Sequence, residues 1–389
     1  MPNLPAIDPI DLRSTLDDDE RAVVAAVRQL VKDQVLDHVE EWFERGYFPV
    51  RELAPELGKM GLLGMHLDGY GCAGTSAVAY GLACLELEAG DSGLRSFVSV
   101  QGSLAMFPIH KYGSEEQRQQ WLPGMAAGEI VGCFGLTEPD SGSDPASMRT
   151  HARRDGEDWV LNGSKMWITN GNVADVAVVW ARTEDGIRGF IVPAGTPGFE
   201  QRTIHHKMSL RASETGELVL DNCRLPGDAM LPGAAGLSGP LSCLNEARFG
   251  ILFGALGAGR ASFTAAVDYV GNRTQFGKPL SAFQLTQHKI AEMTVKLSAG
   301  TALAMHLGRL KDDHQLTSDH VSIGKLANVR AALDVARTAR TMLGANGISL
   351  EYPVIRHMVN LESVMTYEGT EEIHALAIGR AITGIAAFA

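Results

Sequence analysis

The chain is predicted to be an α+β protein of three successive units: an N-terminal helical domain over residues 1–130, a middle β-domain over 131–239 and a C-terminal helical bundle over 240–389. Three observations predict it. Apolar residues recur at helical spacing near the start. Short alternating runs between Gly, Pro and Asp fill the middle. Long Ala- and Leu-rich segments follow to the end.

The acids Asp17, Asp18, Asp19 and Glu20 stand where a helix start favours negative charge. Val27, Leu30, Val31, Val35, Val39 and Trp42 then follow at helical spacing. Further helices are expected over 50–59, 76–89, 95–107 and 114–127. Residues 159–170 alternate around Asn162-Gly163, which predicts a hairpin. The runs 176–181, 189–192 and 217–220 read as short strands. Segments 287–310 and 322–343 suit helices packed on one another.

Composition excludes several functions. A net charge of −12 argues against nucleic acid as the main partner, because phosphate binding needs a concentrated basic surface. Cys72, Cys84, Cys133, Cys223 and Cys243 form no CxxC pair and are odd in number, so a reducing compartment without a disulfide framework is expected. Neither an HExxH motif nor a Cys/His cluster suggests a metal. No apolar stretch reads as long and charge-free enough to span a bilayer, and the acidic, Pro-rich start resembles neither a signal nor a transit peptide. A bacterial cytoplasmic protein is the expectation.

Several constellations carry chemistry, each beside a plainer reading. In Tyr367-Glu368-Gly369-Thr370 an acid sits in an apolar, helix-rich segment. Shielding from water raises a carboxylate's pKa, and such a group can take a carbon-bound proton at neutral pH; the plainer reading is a cap or solvated charge. Gly69-Tyr-Gly-Cys-Ala-Gly74 is a literal GxGxxG, but no strand–helix–strand pattern surrounds it, so a turn opening the next helix is expected. The glycine- and hydroxyl-rich loop 134–144 follows an apolar run and could hold a polar heterocycle or a pyrophosphate. Trp167-Ile168-Thr169 offers an aromatic cover and a hydroxyl, or simply a core strand. Arg273-Thr-Gln-Phe276 offers a phosphate-binding cation, or an ordinary interhelical loop. Arg95 and Ser99 share one face of an apolar segment, and a buried Arg needs an anion. Glu88 or Asp91 could supply it structurally; a ligand carboxylate is the sharper possibility.

Together these segments resemble the acyl-CoA dehydrogenase family, and within it the glutaryl-CoA branch. The resemblance covers nearly the whole chain. It rests on Leu136-Thr-Glu-Pro139 with Gly142-Ser-Asp144, Trp167-Ile-Thr169, Arg273-Thr-Gln-Phe276, Met342-Leu-Gly344 with Gly347, and Tyr367-Glu-Gly-Thr370. Asp91-Ser-Gly-Leu-Arg-Ser96, Ser99-Val-Gln101 and Gly379-Arg-Ala-Ile-Thr383 point to the glutaryl branch.

The resemblance implies FAD as cofactor, lying between the β-domain and the C-terminal helices. Phe134, Leu136, Thr137, Gly142, Ser143, Trp167, Ile168 and Thr169 would contact it. Arg273, Phe276 and Gln284, with Met342, Leu343 and Gly344, would reach FAD across a subunit boundary; Thr370 and Phe388 match further FAD positions. An acyl-CoA thioester would run past Ser143, Leu241, Asn245 and Arg248, touching Tyr367 and Gly369. Glu368 would be the catalytic base, and Arg95 with Ser99 would hold the far carboxylate of a glutaryl chain. The implied reaction is dehydrogenation with loss of carbon dioxide to crotonyl-CoA, electrons passing to an electron-transferring flavoprotein. The implied assembly is a homotetramer, a dimer of dimers. Leu94, Ala345 and Glu371-Glu372 depart from the branch's pattern and bear on fine substrate preference. The competing expectations are a dehydrogenase for a simple short-chain acyl-CoA, a dicarboxylyl-CoA dehydrogenase that does not decarboxylate, and a non-catalytic CoA-binding protein.

Overall fold

The computed structural model describes residues 8–387; Phe388 lies outside them. Helix α1 (Asp18–Gln34) begins at Asp17, whose side chain accepts from Glu20 N while Glu20 answers with its own carboxylate. It ends where Val35 N and Leu36 N both turn to Val31 O. A separate helix, α2 (Val39–Arg45), follows, so the helical run expected through Trp42 is two helices. Next come α3 (Val50–Lys59) and α4 (Ala77–Gly90), the latter capped by Ser76. The glycine-rich segment 69–74 is the turn into α4. That helix is buried nearly all round, as the apolar run from Ala77 demands.

Helix α5 (Ser92–Ser99) passes without a break into a wider π-helical stretch, Val100–Met106, before α6 (Phe107–Tyr112) and α7 (Glu115–Ala126). The continuous α-helix expected over 95–107 is therefore widened in its second half. Such turns recur at functional sites. Gln101 uses the widening to bridge inward: its Nε2 donates to Met125 O and Ile130 O, and its Oε1 accepts from Gly132 N at 2.7 Å. This staples the helical unit to the first strand.

The middle unit is a seven-stranded sheet. Strand β1 (Gly132–Gly135) runs parallel to β4 (Val176–Thr183), which also pairs with β5 (Gly186–Pro193). Strand β2 (His151–Asp155) joins β4 to β3 (Asp158–Thr169), and β3 pairs onward with β7 (Thr215–Leu225) and β7 with β6 (Phe199–Thr203). Alternation splits β4 between two cores: Val176, Val178 and Trp180 face the helices, while Ala177, Val179 and Ala181 face the β-domain interior. Both faces are covered, so the strand reads as a continuous apolar run.

The hairpin expected at Asn162-Gly163 is absent. Both residues lie inside the single strand β3, at a register shift against β7. Asn162 lacks the positive φ that a two-residue hairpin turn requires. Gly163, at φ 146, instead admits Thr150, whose Oγ1 would lie 2.4 Å from a Cβ there. Asn-Gly serves here as a bulge.

The C-terminal unit is built on α8 (Ser238–Asn272), packed against α4 and α10 (Ser318–Met342). A small hairpin of β8 (Thr274–Gln275) and β9 (Lys278–Pro279) leads to α9 (Gln284–Asp312). Helices α11 (Pro353–Thr366) and α12 (Glu371–Thr383) close the chain. Against expectation, α8 is long and apolar enough, by length and composition, to cross a membrane. Its apolar window is 72% buried inside the protein, the mark of a core helix.

Candidate active site

Between the ends of α11 and α12 the chain turns sharply. Glu368 has φ 51 and Gly369 φ 99. A non-glycine residue in the left-handed region costs energy and persists only where its surroundings fix it. Three consecutive carbonyls of this turn are held by two cations, the half-buried Arg248 and the buried Lys325. Arg248 Nε on α8 donates to Glu368 O at 2.7 Å, and Lys325 Nζ on α10 donates to Gly369 O at 2.7 Å and to Tyr367 O. Thr370 caps α12 by accepting from Ile373 N.

The turn presents the Glu368 carboxyl to the interior. Its Oε2 is closed off from solvent and has no hydrogen-bond partner among the described residues. Burial raises its pKa above the ordinary carboxylate value, while Lys325, Arg95 and Arg248 pull it back. Burial draws the Lys325 ammonium down to about 7, with Glu368 resisting.

Arg95, on α5, faces the same region. Its Nε donates to Glu88 Oε2 at 2.6 Å, and its Nη2 donates to the Tyr367 hydroxyl. The guanidinium also lies 5.7 Å from the centre of the Tyr367 ring. Of the two anions weighed for Arg95, the structure selects Glu88; Asp91 instead binds Arg356 and Asn360 and caps α5. Gly254 on α8 lets the pair sit close, since a Cβ there would lie 2.3 Å from Glu88 Oε2. Ser96 Oγ is 3.3 Å from the Tyr367 hydroxyl, and Ser99 Oγ is buried with no partner among the described residues. Asn245 Oδ1 accepts from Arg248 Nη1 at 3.2 Å, and Leu241 is exposed one helical turn earlier.

The β-domain contributes two loops. Phe134 and Leu136 are buried against the helical core, Thr137 is half-buried, and Gly142 and Ser143 are exposed. Glu138 fixes this loop. It accepts from Arg149 N at 2.6 Å, Thr150 N at 2.9 Å and Lys165 Nζ at 2.8 Å, and Lys165 also donates to Leu136 O. Burial opposes the Glu138 charge, yet these donors hold its pKa at about 2; burial takes Lys165 to about 8. On β3 a second register shift, between Lys165 and Ile168, turns Trp167 to φ 63 and leaves it 57% exposed, with Ile168 buried and Thr169 half-buried. Met166 N donates to Thr137 O at 2.9 Å, tying the two loops together.

The remaining predicted residues gather elsewhere. Arg273, Phe276, Gln284 and Gly344 are exposed, beside Met342 and Leu343, which are buried in a core shared with Val270 and Leu280. Arg248 lies in α8 and Arg273 caps its end, so a rise of 1.5 Å per residue separates them by roughly 37 Å. One chain therefore forms two surfaces rather than one closed site.

Lys325 was not singled out by sequence. A signal existed: on α10 it falls in the buried helical stripe of Val321, Asn328, Val329 and Ala332. A lysine there must find polar partners.

A strained, solvent-shielded acidic turn, a Trp-bearing bulge and a hydroxyl-rich loop tied to that bulge mark a flavin-dependent oxidoreductase. The chain belongs to the acyl-CoA dehydrogenase family: residues 17–129, 133–223 and 234–383 match, respectively, "Acyl-CoA dehydrogenase, N-terminal domain", "Acyl-CoA dehydrogenase, middle domain" and "Acyl-CoA dehydrogenase, C-terminal domain". It is an FAD-dependent enzyme. A glutaryl-CoA dehydrogenase from Mycobacterium smegmatis, solved in complex with FADH2, is 62% identical with a TM-score of 0.98, covering 100% of both chains. A glutaryl-coenzyme A dehydrogenase solved with glutaryl-CoA is 32% identical with a TM-score of 0.91, covering 95% of this chain and 96% of that one. The human mitochondrial short-chain specific acyl-CoA dehydrogenase is 37% identical over 339 residues, 85% of this chain and 82% of its own.

The residues present fit FAD. The Trp167 ring stands exposed at a bulge beside the half-buried Thr137 and Thr169 hydroxyls, and Glu368 Oε2 is shielded and unpartnered.

Proposed function

We propose that the enzyme oxidises glutaryl-CoA and decarboxylates it to crotonyl-CoA, with Glu368 as base. One observation carries this reading. Arg95, the Tyr367 hydroxyl and the Ser96 hydroxyl converge at the turn that carries Glu368, a donor set suited to a carboxylate. The 62% identity to a glutaryl-CoA dehydrogenase supports it.

Glu368 Oε2 takes the α-proton of the thioester. Its raised pKa suits this task near neutrality. The backbone N–H of Glu368 has no acceptor among the described residues and is available to the thioester oxygen, where enolate charge develops. Bound FAD would supply the acceptor for the β-hydrogen, taken as hydride. Loss of carbon dioxide from the unsaturated acid leaves its electron pair delocalised into the thioester. Return of the proton held on Glu368 to the γ-carbon completes crotonyl-CoA. Trp167, Thr169, Thr137 and Ser143 would hold the cofactor on the β-domain side, and Leu241, Asn245 and Arg248 would border the thioester's path. Electrons leave to an electron-transferring flavoprotein, the acceptor implied by the family resemblance. Arg273, Phe276, Gln284 and residues 342–344 complete the FAD site of a neighbouring subunit in a homotetramer; the exposure of Phe276 and Leu285 supports this.

A second reading has its own observation: Glu88 already balances the Arg95 charge. A short-chain acyl-CoA would then be the substrate, with the pair purely structural. Anaerobic addition of glutaryl-CoA or butyryl-CoA, following flavin absorbance and released carbon dioxide, separates the two. Bleaching with carbon dioxide from glutaryl-CoA is expected. Bleaching by butyryl-CoA alone would overturn the glutaryl reading, and normal bleaching in Glu368→Gln would remove Glu368 as base.

A further inference from the structure

Lys325 is 1% exposed, on α10, whose other proposed site residue, Met342, is its last residue, 17 positions further on. Its ammonium donates to the carbonyls of Tyr367 and Gly369, on either side of Glu368. It also lies 5.7 Å from the Tyr367 ring centre. The carbonyl between them, that of Glu368, is held by Arg248. Glu368 makes no direct ion pair among the described residues, so neither cation blocks its carboxylate by contact.

We propose that Lys325 is a positioning residue for the catalytic base, clamping both neighbouring carbonyls so that the strained turn aims the Glu368 carboxylate into the cleft. This rests on the reading of Glu368 as base. The physical need is specific. Left-handed backbone at Glu368 is unfavourable by itself. A flip of the Tyr367–Glu368 peptide would relax it and swing the carboxyl away. Lys325 fixes the Tyr367 carbonyl of the preceding peptide and anchors the turn again at the Gly369 carbonyl, with Arg248 on the Glu368 carbonyl between them, which closes that route and gives these carbonyls charge-assisted donors. Burial of an ammonium is tolerated because carbonyl dipoles, the Tyr367 ring and the nearby carboxylate all face it.

The clamp also sets the charge around Glu368. The groups facing it are Arg248 from α8, Arg95 with Glu88 from α5 and α4, Lys325 from α10, His374 from α12, and Tyr367 of its own turn. Burial keeps His374 neutral, down to about 3, and pushes the Tyr367 phenol up. Among the described residues, Lys325 is thus the cation there whose removal leaves both arginines in place.

The test compares Lys325→Met, Lys325→Gln and Glu368→Gln as FAD-loaded holoenzymes. It follows flavin bleaching by acyl-CoA at varied concentration and pH, with FAD content and thermal unfolding alongside. Lys325→Met is expected to keep FAD and half-saturation by acyl-CoA, but to bleach roughly 100-fold more slowly, the loss typical of a misplaced reacting group. Its rate should rise at higher pH than in the unaltered protein, because removing a cation raises a carboxylate pKa. Lys325→Gln keeps amide donors without charge. It should recover part of the rate while retaining the shifted pH limb. Unchanged bleaching in both variants overturns the proposal. Loss of FAD and fold in both also overturns it, by assigning Lys325 to stability alone. Normal bleaching in Glu368→Gln removes the base on which the clamp acts. A dead Glu368→Gln beside an unaffected Lys325→Met removes only the role of Lys325.

Discussion

Arg95 Nε donates to Glu88 Oε2 at 2.6 Å, and both side chains are sealed inside the protein. A buried pair of this kind adds little stability against an apolar replacement, but breaking it from one side leaves an uncompensated charge. Glu88→Ala is therefore expected to destabilise the FAD-loaded protein by about 3–5 kcal/mol in denaturant unfolding. The double variant Glu88→Leu/Arg95→Met should recover most of that. Equal loss in the single and double variants would show that packing, not charge, dominates at this position.

Removing Arg95 alone tests substrate choice. In Arg95→Met, Glu88, whose pKa burial already raises, can take up a proton and remain buried. Loss of a charged hydrogen bond of about 1.5–3 kcal/mol should lower kcat/KM for glutaryl-CoA by roughly ten- to a hundredfold. Butyryl-CoA should change little. Parallel losses on both substrates would return Arg95 to a structural role.

The Glu138–Lys165 pair predicts a pH response. The Glu138 carboxyl sits at about 2 against an ordinary 4.5, so the folded state binds that proton less tightly than the unfolded chain. Its stabilisation is complete above about 4.5 and is lost as pH falls towards 2. Lys165, at about 8 against 10.5, acts oppositely: it penalises folding below pH 8, and the penalty fades between 8 and 10.5. Glu138→Gln should flatten the acid limb of the thermal-unfolding profile and lower FAD retention. An acid limb unchanged by the substitution would show that other carboxylates set it.

Phe276 is 93% exposed at the tip of the β8–β9 hairpin, beside Arg273. A phenyl ring so placed in the isolated chain calls for a partner surface. Phe276→Asp is expected to shift the assembly to smaller species in sedimentation and to release FAD, with far-ultraviolet circular dichroism preserved. Intact mass and full FAD content would remove this hairpin from the interface.

The legible parts of the fold were those set by local periodicity and caps. Asp17 and Ser76 start helices where their side chains can accept from the first turn. The misreadings came where tertiary contacts reassigned a local signal. Asn162-Gly163 carries hairpin chemistry, but Thr150 approaches Gly163 and the strand runs on as a bulge. The π-helical stretch at Val100–Met106 leaves no mark in a periodicity count, because one extra residue per turn shifts the phase without changing composition. At the site, the short motifs around Glu368, Trp167 and Leu136 could be named from sequence. Lys325, 43 positions before Glu368, could not be joined to it without the packing of α10 against the turn.

The order of helical, β and helical units could be read from sequence alone because periodicity is a local property, and the motif Tyr367-Glu368-Gly369-Thr370 with its companions carried the family resemblance because short motifs are contiguous in the chain. Only the tertiary structure decided that Arg95 takes Glu88 rather than Asp91, that Lys325 and Arg248 hold the carbonyls around Glu368, and that Arg273 stands far from Arg248 on the same helix. Those outcomes depend on which helices cross and how closely. Charge pairing and burial are properties of that three-dimensional arrangement, and residue spacing along the chain does not encode them.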